Sequence, residues 1–270
     1  MALTSNDLKS AAHRATAWLS SRVTDTGSFL GHDPQRANGT FPDTDDIGCY
    51  YKSIYTMCAA GQSNASARCM RHVVDRFKDE KDDFYNSPEV RSSGSYGPYF
   101  CQIYQNAWLA RGAVALNFFG LAQQIANFIN TQRDPGGGVF TVINSNTGVI
   151  DSNSTAVCAY VNVLAGNHNV GKQGCDFLLT LLANQKDEGI LWSRCWKDGA
   201  LNTDLSDVPE KNHRYVRVSA SDPQQAYWIW SWPMNTLIAM YELCGEQKYL
   251  DGAKRIFAFL ETCHDHAFGF

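Results

Sequence analysis

Long apolar runs are missing from this 270-residue chain, and no stretch approaches the roughly 18 uninterrupted apolar residues that a membrane span needs. No membrane span is expected. Blocks of Lys and Arg are missing as well: 23 basic side chains lie scattered among 27 acidic ones, for a net charge of −4. Without a basic stripe, nucleic acid is not an expected partner. The opening residues Met1-Ala2-Leu3-Thr4 offer neither a basic n-region nor an apolar h-region, so a soluble, cytoplasmic protein is expected. The nine cysteines stand singly, with no CxxC pair. Most are therefore expected to be buried small hydrophobes in a reducing compartment. GxGxxG, P-loop and GxSxG patterns are absent. No cofactor is expected.

What is present is enough to build a core. Apolar residues make up 44% of the chain, aromatics 12% and charged residues 19%, a composition that excludes disorder and predicts one domain over residues 1–270.

Most of the hydrophobic patterning has the helical period of 3.6. Thr4 or Ser5 can cap a first helix with Leu8, Ala12, Ala15, Trp18 and Leu19 on one face, and Asp7 completes a capping pattern with Thr4. Further helices are predicted near 46–60, 63–78, 98–115, 118–132, 153–165, 170–184, 226–244 and 247–262. The connections alternate between long loops and joins of a few residues, and the short joins imply antiparallel hairpins. The period-two run Trp228-Ile229-Trp230-Ser231-Trp232-Pro233 places the start of its helix near Ser231, with Pro233 in the first turn.

The helices that precede long loops end alike. Trp18, Val73, Phe128 and Leu181 occupy equivalent positions, with steps of 55, 55 and 53 residues, and self-similarity at a fixed period signals stacked copies of one unit. Gln132-Arg133-Asp134-Pro135-Gly136 and Gln185-Lys186-Asp187-Glu188-Gly189 follow such helix ends. In that setting they resemble the QW repeat of the terpenoid cyclase and protein prenyltransferase superfamily. Arg22 replaces Gln in the first copy and the Val73 copy lacks the following Gly. The resemblance implies an all-α fold, an α/α toroid of about five helical hairpins. Its catalytic mouth would lie at the starts of the inner helices. A ring with only four inner helices has an open side, which leaves room for a homo-oligomer.

Four loop segments would converge on that mouth, and one carries Asp43-Thr44-Asp45-Asp46. This resembles the DxDD motif with which class II terpene cyclases protonate an alkene or epoxide. Three adjacent carboxyls cannot all ionise, and the helix start behind them stabilises the conjugate base. By the resemblance Asp45 is the proton donor, with Asp43 and Asp46 holding it. The plain alternative is helix capping. Ile47 stands where that family commonly has Thr, and the second toroid domain and DDxxD motif of full cyclases are missing. A small substrate without a diphosphate follows.

Asp151 starts the next inner helix, as a second acid or base or as an N-cap, and His213 is a candidate base in a loop on the same face. Tyr50, Tyr51, Tyr96, Tyr99, Phe100, Trp228 and Trp230 are candidate substrate-binding aromatics, since ring faces stabilise cations and also bind sugars; core packing is the competing explanation. Cys195 with Cys263-His264 superficially resembles the zinc ligands of lantibiotic cyclases, but Arg194 replaces the expected Trp. No metal is expected.

Three functions are compatible with this pattern. The first is a cofactor-independent cyclase or isomerase that protonates a small, largely apolar unsaturated or oxygenated substrate. The second is a carbohydrate-active hydrolase or epimerase with paired carboxylates, or a dehydratase of the linalool dehydratase type. The third is a non-catalytic toroid subunit.

Overall fold

A computed structural model describes residues 4–30, 46–86, 103–141, 147–223 and 225–263. The chain is mostly helical, as the 3.6-residue patterning requires. The described helices are α1 (Ser5–Ser21), α2 (Tyr51–Ala59), α3 (Ser63–Phe77), α4 (Tyr104–Ala115), α5 (Phe119–Asn130), α6 (Ser152–Leu164), α7 (His168–Ala183), α8 (Trp228–Cys244) and α9 (Gln247–Glu261). Short turns join α2 to α3, α4 to α5, α6 to α7 and α8 to α9, and α2–α3, α6–α7 and α8–α9 pack as antiparallel hairpins. Packing divides the chain into two compact units, one of Met1–Ser95 with Gln105–Phe128 and the other of Tyr96–Tyr104 with Ile129–Phe270.

In the first unit α1 opens on a capping box: the Thr4 hydroxyl accepts from the Asp7 amide at 3.2 Å and the Asp7 carboxylate accepts from the Thr4 amide at 2.8 Å. Its apolar side is not covered by the described residues. Thr16 is the one buried residue of α1, while Leu8 and Trp18 are 59% and 60% exposed. The core lies instead between α2, α3 and α4, where Ile54, Met57, Cys69, Met70, Val73 and Ala113 are fully buried. Gly112 lets α4 approach this closely, since a Cβ there would sit 2.8 Å from the Ile54 side chain.

The second unit packs α6 between α7 and α8. Thr236 on α8 donates to the Ala156 carbonyl of α6 at 3.0 Å, and α7 meets α9 through Asp176, which accepts from Lys172, Lys248 and Tyr249. Leu178, Leu181, Trp230, Leu237, Tyr249 and Ile256 form the centre of its core. Helix α8 begins at Trp228, between the start at 226 and the start near Ser231 that the sequence offers, and Pro233 lies inside it. Pro233 has no N–H for the Ile229 carbonyl one turn back. Ser152 donates its hydroxyl to that carbonyl at 3.4 Å, which makes the early start affordable.

Two antiparallel ribbons flank the helices: β1 (Ile150–Asp151) pairs with β3 (Arg194–Cys195), and β2 (Ile190–Trp192) pairs with β4 (Arg217–Ser219).

The 55-residue step reappears in the backbone. Helices α1, α3 and α5 each end in a turn closed by an isolated bridge, Val23 to Phe29, Lys78 to Phe84 and Arg133 to Val139. Inside each turn the same bond recurs, from Thr24 N to Ser28 O, Asp79 N to Asp83 O and Asp134 N to Gly138 O, at 2.8, 2.9 and 2.8 Å. One residue per turn has a left-handed backbone: Gly27, Asp82 and Gly137, with φ of 90°, 66° and 101°. The Val73 copy thus has its turn without the glycine that marks the others, because Asp tolerates this region better than most side chains. A fourth turn of this kind, Cys195 to Leu201 with Gly199 at φ 78°, comes later than the step predicts, since β2 intervenes after α7. There the Gln185 side chain takes over: its Oε1 accepts from Trp192 N at 2.9 Å and its Nε2 donates to Trp192 O at 3.0 Å.

Candidate active site at the start of helix α6

Asp151 ends β1 and caps α6. Its Oδ1 accepts from the Ser154 amide at 2.6 Å, and its other oxygen accepts from the Ser154 hydroxyl. The segment that follows is unusual for a helix start: Ser152, Asn153, Ser154 and Thr155 are all buried, although first-turn polar residues normally face water. Asp151 is itself only 8% exposed. That burial raises its pKa to about 6, against the downward pull of the Ser154 hydroxyl, the Ser154 and Asn153 amides and the Arg194 guanidinium. A carboxyl with this pKa exchanges a proton near neutrality. Roughly a tenth of the molecules hold the acid form at pH 7.

Arg194 lies opposite Asp151 across the β1–β3 ribbon. It is 3% exposed and binds the Asp207 carboxylate through both terminal nitrogens, at 3.1 and 3.0 Å. Its Nε is buried without a hydrogen-bond partner among the described residues, as are the Thr141 hydroxyl and both polar atoms of the Asn153 amide.

Aromatic rings gather at the start of α8, which the Ser152–Ile229 bond joins to the start of α6. Trp228 packs between Tyr104 and Tyr215, with ring centroids 5.7 and 6.3 Å away. Trp232, one turn further, meets Tyr104 edge-on at 6.4 Å and Tyr160 at 5.5 Å. All five rings are partly exposed.

The residues singled out from the sequence have different fates. Asp43, Asp45, Tyr96, Tyr99 and Phe100 lie outside the described residues. Asp46 is a cap: its Oδ1 accepts from Gly48 N at 2.7 Å and from Asn86 Nδ2 at 3.0 Å, while Asn86 Oδ1 accepts from Ile47 N. Tyr50 belongs to the core of the first unit, packed against Phe29, His72 and Phe77, and its hydroxyl accepts from the Phe29 amide. Tyr51, in the same unit, is half-buried with the Lys52 ammonium 5.6 Å from its ring centre.

Trp230 is fully buried and donates to the Leu191 carbonyl, so of the two Trp candidates only Trp228 is partly exposed. His213 sits in the short 3-10 helix Glu210–Tyr215 with Nε2 2.9 Å from the Val208 carbonyl, which makes Nε2 the protonated nitrogen. That helix also carries Tyr215 onto Trp228. Cys158 and Cys195 are pushed up to about 12 by burial and are thiols, not thiolates. Among the described residues no group of three or more His, Cys, Asp or Glu side chains gathers as a metal site.

Sequence reasoning gave no weight to Asn153, Thr141, Tyr160 and Arg194. Asn153 stood two residues from a chosen acid, but its burial depends on contacts far away in the chain. Comparison with protein-family models, with curated proteins and with solved structures finds no match to this chain.

Proposed function

We propose that the chain is an isomerase or lyase that works by general acid–base catalysis, with Asp151 as the proton-transfer group. The observation that carries this reading is the buried Asp151 carboxyl with its pKa near 6, a value suited to giving and taking a proton near neutral pH. Ser154 holds the carboxyl in one orientation. The positive end of α6 stabilises the carboxylate left after donation. The rings of Tyr104, Trp228 and Trp232 supply faces that attract a developing positive charge.

The recurring turns and the helices paired by short joins support an α/α toroid of the terpenoid cyclase type, read as an extrapolation from the 55-residue step. In that architecture the starts of α6 and α8 belong to the catalytic mouth. The substrate is a small unsaturated or oxygenated molecule. A second reading, a carbohydrate epimerase or hydrolase, is favoured by the partly exposed rings of Tyr104, Trp228 and Trp232, which also suit the C–H faces of a sugar.

The test is turnover of a panel of terpenoid alcohols, epoxides, unsaturated sugars and monosaccharides by wild type, Asp151→Asn and Asp45→Asn. Loss of turnover in Asp151→Asn with an intact fold, and a limb near pH 6 in the wild-type kcat/KM profile, are the expected results. Full activity of Asp151→Asn refutes the reading, and loss confined to Asp45→Asn transfers the role there.

A further inference from the structure

We infer that a cavity beside the fourth turn is a binding site for a neutral saccharide, with Trp192 as its platform and Asp187, Asp198 and Asn184 as its acceptors. The cavity has a volume of about 520 Å³, and Asn184, Lys186, Asp187, Trp192, Asp198 and Thr203 are among the residues that line it. That size is in the range of small-molecule sites. Each of these six residues is partly or largely exposed, so a ligand arriving from solvent reaches them. None belongs to the candidate site around Asp151.

Local bonds hold the lining in place. Asn184, just past the end of α7, donates its Nδ2 to the Gly199 carbonyl of the turn at 2.8 Å. The Gln185 side chain fixes the Trp192 backbone through both its N–H and its carbonyl. Asp187 and Asp198 each use Oδ1 to accept from the amide two residues on, Gly189 N at 2.7 Å and Ala200 N at 3.0 Å, which orients both carboxylates. Their Oδ2 atoms, the Asn184 Oδ1, the Lys186 ammonium and the Thr203 hydroxyl have no hydrogen-bond partner among the described residues.

This inventory selects the ligand. Three side chains offer acceptors, Lys186 offers donors, and Thr203 takes either role. The ligand must therefore be rich in donors, as a row of hydroxyls is and as a nucleobase edge or a phosphate is not. Two carboxylates repel an anion. An organic cation would meet Lys186 in the same lining, and the Arg217 guanidinium already lies over the Trp192 ring, 5.7 Å from its centre. A neutral sugar meets neither obstacle. Its hydroxyls donate to the carboxylates in charge-assisted bonds and accept from Lys186, while its C–H faces pack on the indole of Trp192.

The inference does not rest on the acid–base reading. The experiment measures binding of D-glucose, D-galactose, maltose, cellobiose and N-acetyl-D-glucosamine to the full chain by saturation-transfer NMR. Spermidine, adenosine and inorganic phosphate serve as the cationic, planar and anionic controls. The expected result is saturable binding of at least one of the sugars, weakened about ten-fold or more in Trp192→Ala. The double variant Asp187→Asn/Asp198→Asn keeps both turn acceptors and exchanges each remaining carboxylate oxygen for a donor, and should bind about three-fold or more weakly. Asp151→Asn should bind as wild type does. Should Trp192→Ala fail to fold, the double variant, changed only at exposed residues, decides alone.

No sugar binding, unchanged affinity in either folded variant, or tighter binding of a control than of every sugar overturns the proposal. Sugar binding lost in Asp151→Asn and kept in Trp192→Ala places the sugar at the start of α6, which overturns it as well. Sugar binding that survives in an Asp151→Asn protein of full activity refutes the acid role and leaves this site standing.

Discussion

Asp151 titrates near 6 in the fold and near 3.8 in an ordinary setting, so the folded chain holds this proton more tightly than the unfolded one. Its contribution to stability is fully present below about pH 3.8 and is lost as the pH rises through 6. Above that the buried carboxylate costs roughly 3 kcal/mol. Asp151→Asn keeps an acceptor for the Ser154 amide and removes the titration. Urea unfolding at pH 4, 6 and 8 should find the variant more stable than wild type by about 1–3 kcal/mol at pH 8, with the gap closing toward pH 4. A gap independent of pH would mean that the carboxyl is not held as described.

The sequence offered Asp151 as an acid or as a cap, and it is a cap whose burial gives it the titration of an acid. Its position was legible from helix-start rules. Its burial was not, because it depends on β3, which lies more than forty residues later. Likewise Tyr50 and Trp230 read as aromatic candidates by type and position, and only long-range packing makes them core.

The turns after α1, α3 and α5 share a shape that dictates opposite outcomes for similar substitutions. Gly137→Ala places a Cβ 2.5 Å from the Gln173 carbonyl oxygen at φ 101°, and Gly27→Ala places one 2.2 Å from the Arg68 carbonyl oxygen at φ 90°. Each should destabilise by roughly 2–4 kcal/mol. Asp82→Gly relieves a left-handed backbone and should gain up to about 1 kcal/mol, less the small worth of the half-buried Lys78–Asp82 pair. Denaturant midpoints of the three variants decide this, and a neutral Gly137→Ala would contradict the close approach to α7.

Gln185→Ala removes both side-chain bonds to the Trp192 backbone and should cost about 1–3 kcal/mol by the same measurement. Helix order and the first three copies of the repeat were legible because both are local and periodic. The later fourth turn was not, since the β2–β4 pairing that separates it from α7 joins residues 25 or more apart. The start of α8 was not legible more closely than between 226 and Ser231 for a related reason. Pro233 is tolerated through a bond from Ser152, in another hairpin.

Across the whole molecule, burial is unevenly spread. Nearly all of α6 is buried, from Ser152 to Asn162, whereas α1 buries Thr16 alone. Amide exchange should follow this contrast: α1 should exchange within the earliest time points and α6 among the last, close to global unfolding. Protection of α1 equal to that of α6 would show that its apolar side is covered in solution. The mostly helical character could be read from the 3.6-residue pattern, whereas the division into two units could not, because no change of composition or linker marks it.

The recurrence of one turn at Gly27, Asp82 and Gly137 also bears on how such a chain changes length over evolution. Unequal recombination between the codons of two successive positions among these adds or removes 55 residues and rejoins the chain within an equivalent turn. The gene therefore carries natural splice points at which a whole hairpin can be gained or shed without redesigning the backbone around the junction.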